Sequence, residues 1–184
     1  MKTPRQVELA IQIVLVAFAE KMRIGKVSIP TATHSLRVGL ALISYGYPIE
    51  VCLGGFFHDI LEDTLMRETY VKGLFGDRVD FLMRACTIDP KLGDTPEGEQ
   101  ELYDRIVSMA RAGDLDPLRI KCGDSLDNLR TNNCLKREWQ VAALERGKKW
   151  VNAAYDHFPA ENLAHELNDM VKREEKRIFA PVVG

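Results

Sequence analysis

His58-Asp59-Ile60-Leu61-Glu62-Asp63-Thr64, residues 58–64, closes an apolar run that opens at Pro48. Gly46 just upstream reads as the stop of one helix, and Pro48 as the start of the next. The run predicts a helix over about 48–61, with Glu62 four residues after His58 and three after Asp59, and Asp63 four after Asp59. If that helix continues for one more turn, an imidazole and several carboxylates share adjoining faces. Working outward, the same punctuation repeats. Thr3-Pro4 opens a helix to about residue 22, whose apolar residues Val7, Ile11, Val14, Leu15 and Phe18 fall on one face. Residues 23–32, with Gly25 and Pro30, read as a loop, and a helix follows over about 33–45. Downstream, a short helix ends at Phe75-Gly76 and another spans about 77–86. Residues 89–97 read as a loop. Helices follow over about 98–112, 117–131, 138–157 and 159–179, with Asp116-Pro117 as a second cap-plus-proline pair. No period-two alternation appears, so the expected fold is all-α, a bundle of about seven to nine helices in a single domain over 1–184.

The composition fits that reading. The 184 residues are 46% hydrophobic and 28% charged, enough to build a core without a disulfide or structural metal. Lys and Arg number 25 against 27 Asp and Glu, a net charge of −2, which argues against a nucleic-acid partner bound by wide phosphate neutralisation. It leaves a small anionic substrate open, because local charge can oppose the total. The cysteines at 52, 86, 122 and 134 show no C-x-x-C spacing and are expected to be reduced core thiols. The most apolar stretch, 7–19, is too short for a bilayer and contains Glu8 and Gln12, so no membrane partner and a cytoplasmic location are expected. Trp139 and Trp150 are expected to anchor packing between the C-terminal helices. His157 and His165 have no acidic partners at ligand spacing.

The chemistry-bearing residues gather in three predicted helices. His34, the pair His58-Asp59, and Asp124 form a mixed imidazole and carboxylate set, suited to Mn²⁺, Mg²⁺, Fe²⁺ or Zn²⁺ rather than to a thiolate-loving metal. Three or four protein ligands leave coordination positions open for water and substrate. Asp124, Asp127 and Asn128 lie at i, i+3, i+4, with Lys121 one turn earlier and Thr131 one turn later. A divalent ion offsets the repulsion among such carboxylates, whereas without one they would need to be solvated. Activating water and neutralising developing phosphoryl charge is the chemistry this set can support.

Residues 58–64 resemble the HD-x-x-EDT signature of the HD-domain hydrolases that degrade guanosine 3′,5′-bis-pyrophosphate alarmones. These are the hydrolase domain of Rel/Spo enzymes and the stand-alone small alarmone hydrolases. Phe75-Gly76 with Val79, Leu82 and Thr87 resembles the family's FG segment, and Met109-Ala110 its M-A pair. Ile120 to Thr131 resembles its K-x-AD-x-L-x-N-x-R-T helix. The similarity runs over about 10–131, leaving 132–184 as C-terminal helices and a candidate homo-oligomer surface. The resemblance implies an HD-domain helical bundle and an enzyme that removes the 3′-pyrophosphate from a guanosine polyphosphate. It implies one Mn²⁺ held by His34, His58, Asp59 and Asp124. Glu62 and Asp63 would be catalytic, positioning and deprotonating water; Lys26, Asn128 and Thr131 would contact the nucleotide, and Lys121 would either meet its phosphate or orient the acidic cluster.

The departures fall around the base-reading loop. The family's Arg position is Gly25, its Tyr position Thr31, and the residue after the first ligand is Ser35 rather than Pro. Asp127 stands where His or Tyr is common, and Ser125 where Arg or Lys is common. An HD phosphohydrolase of another nucleoside mono- or triphosphate is therefore the alternative reading, and a non-catalytic nucleotide sensor is the alternative from another class. Gly46-Tyr47-Pro48 precedes the His-Asp pair and reads as a turn rather than a phosphodiesterase signature. Gly123-Asp124-Ser125-Leu126 lies mid-helix, where a serine nucleophile lacks its strained turn.

Overall fold

The computed structural model describes residues 3–23 and 29–180. Ten α-helices carry the described chain: α1 Thr3–Ala17, α2 Ala32–Ser44, α3 Ile49–Phe57, α4 Ile60–Asp63, α5 Glu68–Phe75, α6 Asp77–Cys86, α7 Pro96–Arg111, α8 Asp116–Arg130, α9 Arg137–His157 and α10 Asn162–Phe179. The all-α expectation holds, with one helix more than the upper bound. The extra helix comes from a break at the His58-Asp59 step, where the expected helix over 48–61 divides into α3 and the single turn α4. Asp59 takes φ −99° and ψ −2°, a conformation that ends one helix and starts another.

The expected loop over 23–32 is partly ordered into a two-residue antiparallel pair, β1 Met22–Arg23 and β2 Ile29–Pro30. Gly76, at φ +88°, lets α5 end and α6 begin without an intervening loop. Thr95, inside the expected loop over 89–97, is a true cap: its hydroxyl accepts from the Gly98 amide at 3.1 Å, so α7 starts earlier than the periodicity suggests. Asp116 makes no side-chain cap; it is the first residue of α8, and Pro117 follows it inside the first turn.

Two apolar clusters fill the interior. One, from α1 and α3–α6, contains Val14, Phe56, Phe57, Ile60, Phe75 and Met83, with Phe18 just beyond α1. The other joins α2 and α3 to α6–α10 through Val38, Leu42, Leu82, Ile120, Leu126 and Leu167. α3 is apolar on all sides and packs against α2, α6 and α8, so it belongs to both clusters. α1 buries Ala10, Ile13 and Val14, and Phe18 just after it, while Leu15, assigned to its inner face from the sequence, is 49% exposed. Trp150 packs on Tyr103 of α7 (ring centroids 5.1 Å apart), but Trp139 lies on the surface beside Lys136 and is no packing anchor. Cys52, Cys86 and Cys122 are buried; Cys134 is only half-buried, in a 3-10 turn over Asn132–Cys134. Among the described residues, no helix is long and apolar enough to cross a membrane.

Candidate metal centre

His34, the third residue of α2, faces the break between α3 and α4. His34 Nε2 lies 3.1 Å from Asp124 Oδ1 and 3.5 Å from Asp59 Oδ2. His58 Nε2 lies 3.0 Å from Asp59 Oδ1 and 3.6 Å from Asp124 Oδ1. One donor atom each from His34, His58 and Asp59 falls within a 4.8 Å span. The structure thus brings together all four expected ligand positions, from α2, the α3–α4 break and α8.

The outer hydrogen bonds aim the rings. His58 Nδ1 donates to the Gly55 carbonyl at 2.9 Å, because a carbonyl can only accept. That leaves Nε2 facing the two carboxylates, and this buried atom has no partner in hydrogen-bond geometry among the described residues despite its short distance to Asp59. An orphaned imidazole nitrogen beside two carboxylates fits a site that takes a divalent cation. The electrostatics agree. Burial opposes a charge on His58, but Asp59 and Asp124 overcome it and raise its pKa to about 10. Burial likewise works against ionising Asp59, and His58 holds its carboxyl down at about 2. For Asp124, Lys121 and the imidazoles outweigh burial and keep the carboxyl well below the usual range.

Around Asp124, Lys121 Nζ donates to Oδ2 at 2.5 Å and Asn128 Nδ2 to Oδ1 at 2.7 Å. Asn128 Oδ1 in turn accepts from Arg23 Nη2 at 2.5 Å, which brings β1 to the rim of the cluster. Arg23 Nη1 is buried with no partner among the described residues. Glu62 Oε1 accepts from the Ile88 amide at 2.6 Å, which holds α4 against the end of α6. Asp63 continues the turn, its amide donating to the Asp59 carbonyl at 3.0 Å. Burial and the nearby Asp59 charge push both carboxyls above their ordinary range, Glu62 despite its solvent-exposed surface. Thr131 uses its hydroxyl on the Asp127 and Asn128 carbonyls of its own helix, so it braces α8. Lys26 and Gly25 lie outside the described residues. Thr31, at the family's Tyr position, is a buried residue at the start of α2.

Beside the cluster opens a cavity of about 140 Å³. Lys121, Asp124, Ser125 and Asn128 form its inner wall, Tyr103 and Trp150 its aromatic side, and Arg146 and Lys149 add two cations from α9. The sequence reading missed Arg146 and Lys149, because both reach the cavity from α9, an element with no motif of its own. It also missed Arg37, which pairs with Asp127; Arg37 stands three residues after His34 as Asp127 stands three after Asp124, a spacing that offered a signal.

A helical bundle that converges a histidine, an adjacent His-Asp pair and a distant aspartate has the HD-domain architecture. No family model matches the chain. A GTP pyrophosphokinase of Streptomyces coelicolor is 35% identical over 143 residues, 75% of this chain and 16% of that protein. A guanosine-3′,5′-bis(diphosphate) 3′-pyrophosphohydrolase of Aquifex aeolicus is 33% identical over 102 residues, 55% of this chain and 14% of that protein. A solved metazoan SpoT ortholog, described as hydrolysing ppGpp, superposes with a TM-score of 0.76 at 23% identity over 91% of this chain and 94% of that one. The chain belongs to the HD-domain alarmone hydrolase family, and it spans less than a fifth of the length of the two curated relatives described above.

Proposed function

We propose that the chain is a divalent-metal phosphohydrolase that removes the 3′-pyrophosphate from a guanosine polyphosphate of the alarmone type. The observation that carries this reading is the convergence of His34, His58, Asp59 and Asp124 around the orphaned, buried His58 Nε2. These four residues would hold one Mn²⁺. When bound, such an ion supplies Lewis acidity and lowers the pKa of water. Glu62 and Asp63, whose carboxyls burial raises above their ordinary values, would orient that water and take its proton. Lys121, Arg146 and Lys149 outnumber Asp124 and Glu99, the partners of the first two, so the neighbouring cavity carries net positive charge for an anionic nucleotide, and Tyr103 and Trp150 give it flat apolar surface. Arg23, two residues before the family's arginine position in the sequence, donates to Asn128 and would serve in that arginine's place.

A second reading, an HD phosphohydrolase of another nucleotide, draws on Thr31, a small buried residue where the family carries an aromatic ring. One assay separates the two. With Mn²⁺, guanosine 3′,5′-bis(diphosphate) is expected to release pyrophosphate, and Glu62→Gln with Asp63→Asn is expected to abolish release. Phosphate release from a mono- or triphosphate instead favours the second reading. No pyrophosphate release from guanosine 3′,5′-bis(diphosphate), or release that survives the double substitution, overturns the first.

A further inference from the structure

Asp127 is 2% exposed on α8, and its carboxylate stands between two side chains of α2. Its Oδ2 accepts from His34 Nδ1 at 2.6 Å. Arg37, one turn beyond His34, donates Nε to Asp127 Oδ1 at 2.6 Å and Nη2 to Oδ2 at 2.9 Å. An ionised carboxylate has no proton to give, so the ring proton of neutral His34 sits on Nδ1. The other nitrogen, Nε2, then points a lone pair at the space shared with Asp59 and Asp124. The forked guanidinium offers only donors, so it holds both oxygens of Asp127 as acceptors and cancels the carboxylate's charge. Asp59 and Asp124, the latter shared with Lys121, are left as the two carboxylates that face the ion site.

We infer that the Arg37–Asp127 pair is a positioning device that fixes the tautomer and orientation of His34 so that Nε2 serves as a metal donor. The inference rests on the reading of His34 as a ligand. It departs from the resembling family, where this position is commonly His or Tyr.

Asp127→Asn and Asp127→Ala provide the test. In the Asn variant, Arg37 accepts nothing, so it draws the amide oxygen to itself and turns the amide N–H toward His34. Nδ1 must then accept, the ring proton moves to Nε2, and the donor atom is blocked. Mn²⁺ affinity by calorimetry is expected to fall by about 10- to 100-fold in Asp127→Asn, at least as far as in Asp127→Ala. A merely structural role reverses that order, because Asn keeps the shape that Ala loses. Nitrogen NMR of His34, at a pH where the ring is neutral, is expected to show Nδ1–H in the wild type and Nε2–H in Asp127→Asn, with melting curves confirming that both are folded. An Nδ1–H tautomer that persists in Asp127→Asn overturns the positioning role alone. Absence of Mn²⁺ binding by the wild type overturns the metal reading and the donor role with it.

Discussion

Lys121 shows how one side chain can oppose the metal and favour the substrate at once. Its ammonium is 2.5 Å from Asp124 Oδ2 and only 12% exposed, so its charge is weakly screened. It competes with a divalent cation for the same carboxylate, yet adds positive charge to the cavity that Asp124 and Asn128 line. Removing it should move the two affinities in opposite directions. In Lys121→Met, Mn²⁺ is expected to bind as tightly as in the wild type or more so. KM for the nucleotide is expected to rise by about tenfold or more, the scale of one lost charge-assisted hydrogen bond. Calorimetry and steady-state kinetics on the same preparation check both. Weaker Mn²⁺ binding with an unchanged KM would mean that Lys121 holds Asp124 in place and does nothing for the substrate.

At the scale of elements, the site depends on how closely α2 can lie on α3, since one carries His34 and the other ends at His58. A Cβ built on Gly39 of α2 would sit 2.5 Å from the Phe56 ring, and one on Gly55 of α3 would sit 2.5 Å from Leu42. The two helices therefore meet glycine to side chain in both directions. Gly39→Ala should cost about 1–3 kcal/mol through overpacking, a fall of about 3–10 °C in Tm. Gly73→Ala in α5 meets nothing within 4 Å and should raise stability slightly, because alanine suits a helix interior better. A scanning-calorimetry comparison in which both variants melt alike would show that the α2–α3 approach is not tight. The same contacts explain what could be read in advance. Gly46, Pro48 and Gly76 mark turns by local chemistry, so α2, α3, α5 and α6 were legible within a few residues. The break at His58-Asp59 was not, because Ile60 and Leu61 continue the apolar pattern and nothing local forbids a longer helix. Leu15 was misplaced because periodicity gives a face but not its width: α1 rests on Ala10, Ile13 and Val14, with Phe18 just after it, and the contact stops short of Leu15. His34, His58, Asp59 and Asp124 were legible through motif spacing, whereas Arg146 and Lys149 owe their place to folding alone.

Across the whole molecule, the candidate centre sits where the two apolar clusters meet, among α2, α3 and α8. Residues 34, 58–59 and 124 are far apart in the chain, so an ion held by all four would cross-link segments that have no covalent tie. The unfolded chain cannot reproduce that arrangement, and binding then stabilises the native state by mass action. At Mn²⁺ about 100-fold above its dissociation constant, the gain is about 2.7 kcal/mol. For a domain of this size that corresponds to a rise in Tm of about 5–10 °C. A chelator should reverse the shift. His58→Ala should remove it, since Nε2 of this buried ring is the donor without any other partner among the described residues. Asn128→Ala should retain most of it, because Asn128 touches Asp124 from outside the donor set. An equal shift in wild type and His58→Ala would place Mn²⁺ on surface carboxylates and remove the ion from the cluster. A shift seen in wild type and Asn128→Ala but absent in His58→Ala assigns the stabilisation to the convergence of α2, α3 and α8 that the HD-domain architecture provides.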